Sequence, residues 1–332
     1  MSNPHGLPES HFTNSAPQSL PANFIVGHYD IVKESKHPYL GLLKILKHQE
    51  NGSLIFSTQR TYDSKSECCK NLIQTRARHE IHSKHYLSPI EYEFTEVSDF
   101  CYKFYQLNVF RKYHQRTLHK KMIKNLANIH KSIPNKEITF LLYDLICGMK
   151  DLQCNKIAHG KLSPDWIVKG KKSWKIVDDV FSNPEDLKNI ERNSKNLFLS
   201  PEGFEYWSKT CGLRPKFTIK NLRPYSVCLD DVFALGLVIL EFGIRFSVQP
   251  IYDLGNWKFD AEMLDSFVRI FENNYSDNIL LVSTVKCMLE VNFNNRPNFE
   301  QIFDRLPERA TVKEFFKNGS PSKAAGLGHS QS

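Results

Sequence analysis

The chain reads as an α+β protein, with a β-rich first part followed by a larger, mainly helical part. Three observations carry this. Apolar stretches at residues 29–32, 40–46 and 54–56 have strand length, and Asn51-Gly52 between the second and third is a strong hairpin signal. Further along, Ile138, Leu142, Leu145, Met149 and Leu152 recur at helical steps, giving one core-facing stripe. The run from Val232 to Phe242 is apolar on all sides, as expected of a helix enclosed by other elements.

The remaining elements fill in around these. Residues 1–23 are rich in Pro, Ser, Asn and His and are expected to be disordered. Residues 24–109 form a first unit: the three strands, a charged helix at 66–84, and two further strands at 92–94 and 101–109. Residues 110–307 form a second, helical unit, with additional helices at 265–271 and 278–289. Residues 308–332 turn polar and Gly/Ser-rich and are expected to be a flexible tail. No internal repeat is present.

Bulk properties narrow the class. A length of 332 residues with 41% apolar content suffices for one large core or two lobes. The longest apolar run, Val232 to Leu240, is far short of the ~20 residues a membrane span needs. Residues 1–22 carry no apolar signal core, and Ser2 stands where N-myristoylation requires Gly. The eight cysteines lack C-x-x-C spacing and read as reduced thiols. The expectation is an intracellular protein, cytoplasmic in location.

The net charge of +8 has one local concentration, the acid-free stretch 111–124 with Arg111, Lys112, Arg116, Lys120, Lys121 and Lys124. It is expected to be a helix, either a solvated face or a dock for an acidic protein, an anionic membrane or RNA. No aromatics interleave with the cations, so nucleic acid is the weakest of these partners.

Five segments then fall in a telling order. His159-Gly160-Lys161-Leu162-Ser163-Pro164-Asp165-Trp166-Ile167-Val168 has the skeleton of H-R-D-L-K-P-E-N followed by two apolar residues. Lys175-Ile176-Val177-Asp178-Asp179-Val180 is similar to K-I-x-D-F-G, and Leu199-Ser200-Pro201-Glu202 to the segment ending in A-P-E. Asp231-Val232-Phe233-Ala234-Leu235-Gly236 resembles D-V-W-S-L-G, and Met288-Leu289-Glu290 with Arg296-Pro297 resembles L-x-x-D-P-x-x-R-P. Together they resemble the protein kinase superfamily. The resemblance implies a bilobal protein-kinase-like fold, with a small β-rich N-lobe over 24–109 and a larger, mainly helical C-lobe over 110–307.

Phosphoryl transfer asks for a glycine-rich phosphate loop, a phosphate-binding Lys paired to a Glu, a base Asp and metal ligands. Of the loop's three glycines only Gly41 remains, and Pro38 lacks a backbone N–H. On the third strand Thr58 takes the place of the Lys, with Gln59 or Arg60 there after a small slip. In the first register Phe56 replaces the small residue over adenine and fills the space of the base. A one-residue slip puts it on the outer face instead. The partner Glu falls near Thr75 or Arg76, with Glu67 and Glu80 off by several residues. Lys161 stands for the base Asp and Trp166 for the metal-binding Asn, and an ammonium has no lone pair with which to accept a proton. Asp178 alone remains as a metal ligand, and Lys161 is placed to neutralise it. Gly160 removes the Arg that holds a phosphorylated activation segment.

The scaffold positions are kept. By the resemblance, His159 bonds within its loop, Asp231 holds that loop's backbone, and Glu202 pairs with a buried Arg296. This pattern implies a catalytically inactive pseudokinase acting as a scaffold or as an allosteric partner of an active kinase or another assembly. No cofactor is expected, with ATP and Mg²⁺ entering only through residual binding. The alternatives are an atypical Ser/Thr kinase using Asp165 or Asp179 as base or metal ligand and Arg60 as the cation, and a basic-surface module for RNA or membrane. The stretch 203–228, with Trp207, Arg214, Lys216, Lys220 and Arg223, is longer than the family pattern and reads either as a surface insertion or as a partner-binding loop. His79, His82 and His85 drift around a helix at their spacing, which disfavours a metal site.

Overall fold

In a computed structural model, the structure describes residues 28–37, 41–99, 102–114, 116–126, 133–177, 197–210 and 226–317. The segment 1–23 lies outside them. Five strands, β1 (Tyr29–His37), β2 (Gly41–His48), β3 (Leu54–Tyr62), β4 (Glu91–Asp99) and β5 (Tyr102–Lys112), form one antiparallel sheet in the order β1-β2-β3-β5-β4. The turn between β2 and β3 is the one Asn51-Gly52 announces. Gly52 sits at φ 65°, where a side chain is strained, and the Asn51 carboxamide accepts the Ser53 N–H at 2.8 Å. The strands run past the apolar stretches that mark them, because their outer residues alternate faces. One face of the sheet, with Tyr62, Leu107 and Val109, packs on Cys68 and Leu72; the other buries Leu46, Ile55 and Phe110.

Helix α1 (Lys65–His79) lies across β3, β4 and β5, and Ser64 caps its start by accepting the Glu67 N–H. It ends five residues before the expected 84. Ile81 leaves the helix to enter the large core, and Arg78, fully buried, donates to the Ala158 carbonyl at 3.1 Å. Two more backbone bonds join the sheet part to the helical part: Leu87 N–H to Ile176 O at 2.7 Å, and Ile176 N–H to His85 O at 2.8 Å.

The helical part consists of α2 (Leu118–Leu126), α3 (Asn135–Cys154), α4 (Pro201–Thr210), α5 (Val227–Ile244), α6 (Ala261–Asn274), α7 (Ile279–Met288), α8 (Phe299–Asp304) and α9 (Arg309–Lys317). Two short strands, β6 (Ile167–Lys169) and β7 (Trp174–Ile176), pair as a ribbon, and β8 (Tyr252–Asp253) pairs with β9 (Lys258–Phe259). Helix α5 is buried from Asp230 through Leu240, and α3, α6 and α7 pack around it. A Cβ at Gly236 would stand 2.9 Å from Leu289, so glycine there sets how closely α5 approaches the end of α7. Among the described residues no helix is long and apolar enough to cross a membrane.

Three expectations are corrected. The basic stretch 111–124 is not one helix: Arg111 and Lys112 end β5, and α2 starts only at Leu118. The stretch 203–228 does not begin as a surface loop. Its first residues complete α4, where Trp207 is fully buried against Phe204 and Trp257 and so offers nothing to a partner, while Arg214, Lys216, Lys220 and Arg223 lie outside the described residues. The expected tail at 308–332 opens with α9, because Arg309 reaches Asp144 of α3 at 2.7 Å and Phe316 meets Phe140.

Asp144 is 1% exposed. It also accepts the Trp174 N–H at 2.8 Å and lies 3.4 Å from His85 Nδ1. Burial pushes its carboxyl above the usual range, opposed by the Trp174 N–H and then by Arg309. Removing one partner of a buried pair costs ~3–5 kcal/mol, and the partial exposure of Arg309 reduces this. Arg309→Ala is therefore expected to lower the unfolding free energy by about 1–3 kcal/mol in urea denaturation, while Lys313→Ala on the same helix leaves it within ~0.5 kcal/mol.

Candidate functional site

The centre of the helical part is a carboxylate gripping a loop. Asp231, 2% exposed near the start of α5, accepts the His159 N–H at 2.7 Å and the Gly160 N–H at 2.8 Å. Gly160 adopts φ 77°, a conformation that disfavours side chains. The His159 ring is buried. Its Nδ1 accepts the Lys161 N–H at 3.3 Å, which leaves Nε2 as the protonated nitrogen donating to Val177 O at 3.1 Å. The peptide after His159 is thus fixed from both sides.

Beyond it the chain makes a single 3₁₀ turn over Pro164–Trp166. Trp166 O then accepts the Val177 N–H at 2.8 Å, bringing the loop against the end of β7. The Trp166 ring packs edge-on to His159 and joins Phe56, Leu87, Val168 and Val177 in one apolar cluster. That cluster lines a cleft of about 250 Å³ between the sheet and the helical part, together with Leu43 and Ile45 of β2. The polar groups lining it are Lys33, Lys44, Lys112, His114 and Asp165, with Tyr113 and Thr117.

Phe56 faces this cleft and not the outer side of the sheet. Strand alternation then places Thr58 and Arg60 on the same face and Gln59 on the other, where it bonds Gln106 at 2.9 Å. Thr58 is 2% exposed, and its hydroxyl has no hydrogen-bond partner among the described residues. Helix α1 brings no carboxylate here: Glu67 lies in its first turn, and Arg76 pairs with Glu80 on the exposed side. Thr75 is fully buried and donates to the Asn71 carbonyl. The Cys68 thiol beneath the sheet is pushed up to about 12 by burial, so it is no nucleophile. Gly41 opens β2, residues 38–40 of the expected loop lie outside the described residues, and so do Asp178 and Asp179. Lys161 is half-buried.

A second carboxylate ties the ends of the helical part. Glu202, at the start of α4, receives both guanidinium nitrogens of Arg296, one of them at 3.2 Å. Arg296 also donates to the Glu290 carbonyl at 2.9 Å and the Leu229 carbonyl at 3.1 Å, and its guanidinium lies 4.8 Å over the Phe233 ring. The pair is buried, bidentate and has its remaining donors engaged, the condition under which such a pair holds. His79, His82 and His85 do not converge. His79 bonds the Ile90 carbonyl and His85 lies on Asp144, and among the described residues no group of His, Cys, Asp or Glu is placed to hold a metal.

Sequence reading missed Arg111, which pairs with Phe56 in the sheet register and is fully buried on the cleft side. The available signal was alternation: Leu107, Val109 and Arg111 share one face, and counting them as a strand separates Arg111 from the lysines after it. No protein-family model matches the chain, and no curated protein is detectably similar to it.

The clamp and the histidines each give a test. Asp231→Ala leaves two buried N–H groups without their acceptor and is expected to cost about 3 kcal/mol in chemical denaturation, with Asp231→Asn recovering part of it. Burial, then Lys112 and Lys175, hold His114 below the ordinary 6.5, and burial lowers His85 likewise. A group with a depressed folded pKa contributes stability above its unfolded pKa that is lost as pH falls through the folded value. The melting temperature is therefore expected to be highest above about pH 6.5 and to decline below it, with His114→Gln flattening that decline.

Proposed function

We propose that the chain is a protein-kinase-like domain that no longer transfers phosphate and acts by binding, as a scaffold or allosteric partner. Support comes from the way two kinds of position divide. The expected scaffold contacts can be named atom by atom: Asp231 on the His159–Gly160 peptide, Glu202 on Arg296, a helix across a five-stranded sheet. The positions of the chemistry carry groups that cannot perform it. Lys161 has no lone pair to accept a hydroxyl proton, and Trp166 offers no oxygen to a metal.

The observation that carries the reading is the cluster of Phe56 and Trp166. These rings enter the cleft from its two sides and share contacts with Leu87, Val168 and Val177. A nucleotide needs room for its base and donors for its phosphates at that place. Two aromatic side chains supply neither. The remaining 250 Å³ is below the ~300–1,000 Å³ of ordinary small-molecule sites.

A competing assignment, an atypical kinase, has one group in its favour: among the described residues, Asp165 brings a carboxylate to the cleft. Thermal-shift titration with ATP, with and without Mg²⁺ or Mn²⁺, separates the two. A ligand at 100 times its Kd stabilises by ~2.7 kcal/mol, so binding moves the melting temperature by at least a degree. The expected result is no shift, and no labelled phosphate transferred to a generic substrate. A metal-dependent shift, or transfer that Asp165→Asn abolishes, would overturn the proposal. Mg²⁺ alone is expected to leave the native melting temperature unchanged, whereas Lys161→Asp makes it respond to the ion.

A further inference from the structure

We propose that the cleft between the sheet and the helical part binds a small amphipathic carboxylate, whose apolar body fills the space beside Phe56 and Trp166 and whose charge meets the lysines at the edge. The proposal names a ligand for a chain that acts by binding, and it rests on that reading, because it takes the cleft as closed to nucleotide. The space is about 250 Å³. An apolar cavity of ~150 Å³ takes up benzene, so this one has room for one ring or a medium-length alkyl chain, and none for a base, a sugar and a triphosphate together. Its walls are apolar on both sides. Leu43 and Ile45 of β2 and Phe56 of β3 form the sheet side, and Trp166, Val168 and Val177 the helical side. Covering these walls is the main gain an apolar ligand body can make.

Strand register brings cations to these walls. Lys33 of β1 stands directly across from Ile45, and Ile45 directly across from Phe56, so the three share the face that looks into the cleft. Lys112, at the end of β5, lines the cleft as well. On the helical side Lys175 of β7 pairs with Val168, which puts it on the same face of the ribbon as that cleft residue. Lys44 is shared with Glu34 at 3.8 Å, whereas Lys33 and Lys112 are exposed and form no ion pair among the described residues. These cations act on their neighbours instead: burial first, and then Lys112, hold both Lys175 and His114 below their ordinary values. Among the described residues Asp165 is the carboxylate that lines the cleft, and it is exposed to water. Positive charge therefore exceeds negative at the edge of an apolar slot. A neutral hydrocarbon would leave the lysines unmet, and a compact polar anion would leave the walls unmet; a carboxylate on an apolar body meets both.

The test is a ligand-observed NMR titration of the full chain with octanoate, and in parallel with octanol, its uncharged counterpart. Saturable octanoate binding is expected, at least fivefold tighter than that of octanol. It should weaken at least fivefold in Lys33→Glu/Lys112→Glu, where both side chains are exposed, and at least tenfold in Ile45→Trp, whose indole fills the slot. Unchanged circular dichroism and melting temperature check that the variants fold. If Ile45→Trp disturbs either, the lysine variant and the octanol comparison decide. No saturable octanoate binding to the native chain, equal affinity for octanol, or binding that survives the lysine variant overturns the proposal. The ATP titration is read separately. Absent octanoate binding with no ATP shift removes this ligand alone, whereas an ATP–Mg²⁺ shift removes the inactive-kinase reading and this proposal with it.

Discussion

One carboxylate organises the helical part of the molecule. Asp231 is buried at the start of the most enclosed helix, and a buried anion without partners would cost several kcal/mol. It finds its donors in two consecutive peptide N–H groups, of His159 and Gly160, and so fixes the loop that leads to Trp166. Neighbouring Asp230 does the same for the Ser200 N–H at 2.6 Å, just before α4, and Tyr252 holds Leu199 through both its N–H and its carbonyl. Irregular segments of the helical part are thus positioned by side chains of the rigid core, which is what a loop needs when it has no ladder of its own.

That frame holds the cleft's loop without help from the side chains that face the cleft. Lys161 and Trp166 hang from a backbone whose hydrogen bonds are supplied by Asp231, His159 and Val177. The side chains themselves contribute packing. Trp166 and Phe56 pack against Leu87, Val168 and Val177 and join sheet to helices through apolar contact, which burial favours. On the proposed reading, positions that once served chemistry now serve cohesion.

Much of the architecture was legible from pattern alone. Asn51-Gly52 announced its hairpin, and the stripe Ile138, Leu142, Leu145, Met149 and Leu152 lies buried in α3 as its spacing requires. What escaped had physical reasons. Strand ends such as 59–62, Gln-Arg-Thr-Tyr, put three polar residues before one aromatic and carry no run of hydrophobicity. Arg111 was grouped with the lysines after it because charge was read without alternation, yet its neighbour across the sheet is Phe56. Helix α9 stands in a polar stretch, and its place depends on Arg309 meeting Asp144, 165 positions earlier; no local window contains that contact. In the candidate site, the register of β3 was the open question, and the convergence of Phe56 and Trp166 on Leu87, Val168 and Val177 could not be seen from either residue alone.

The link from Arg309 to Asp144 also sets an order of events during synthesis. Asp144 is in place as soon as α3 forms, with His85, the Trp174 N–H and the more distant Lys169 to offset its charge. Its cation follows 165 positions later, after the sheet and helices α1 to α8 have been synthesised. Until then the growing chain holds a carboxylate whose enclosure burial opposes. A chain cut before Arg309 would lack that cation, so the seating of α9 on α3 is a late step that earlier packing cannot replace.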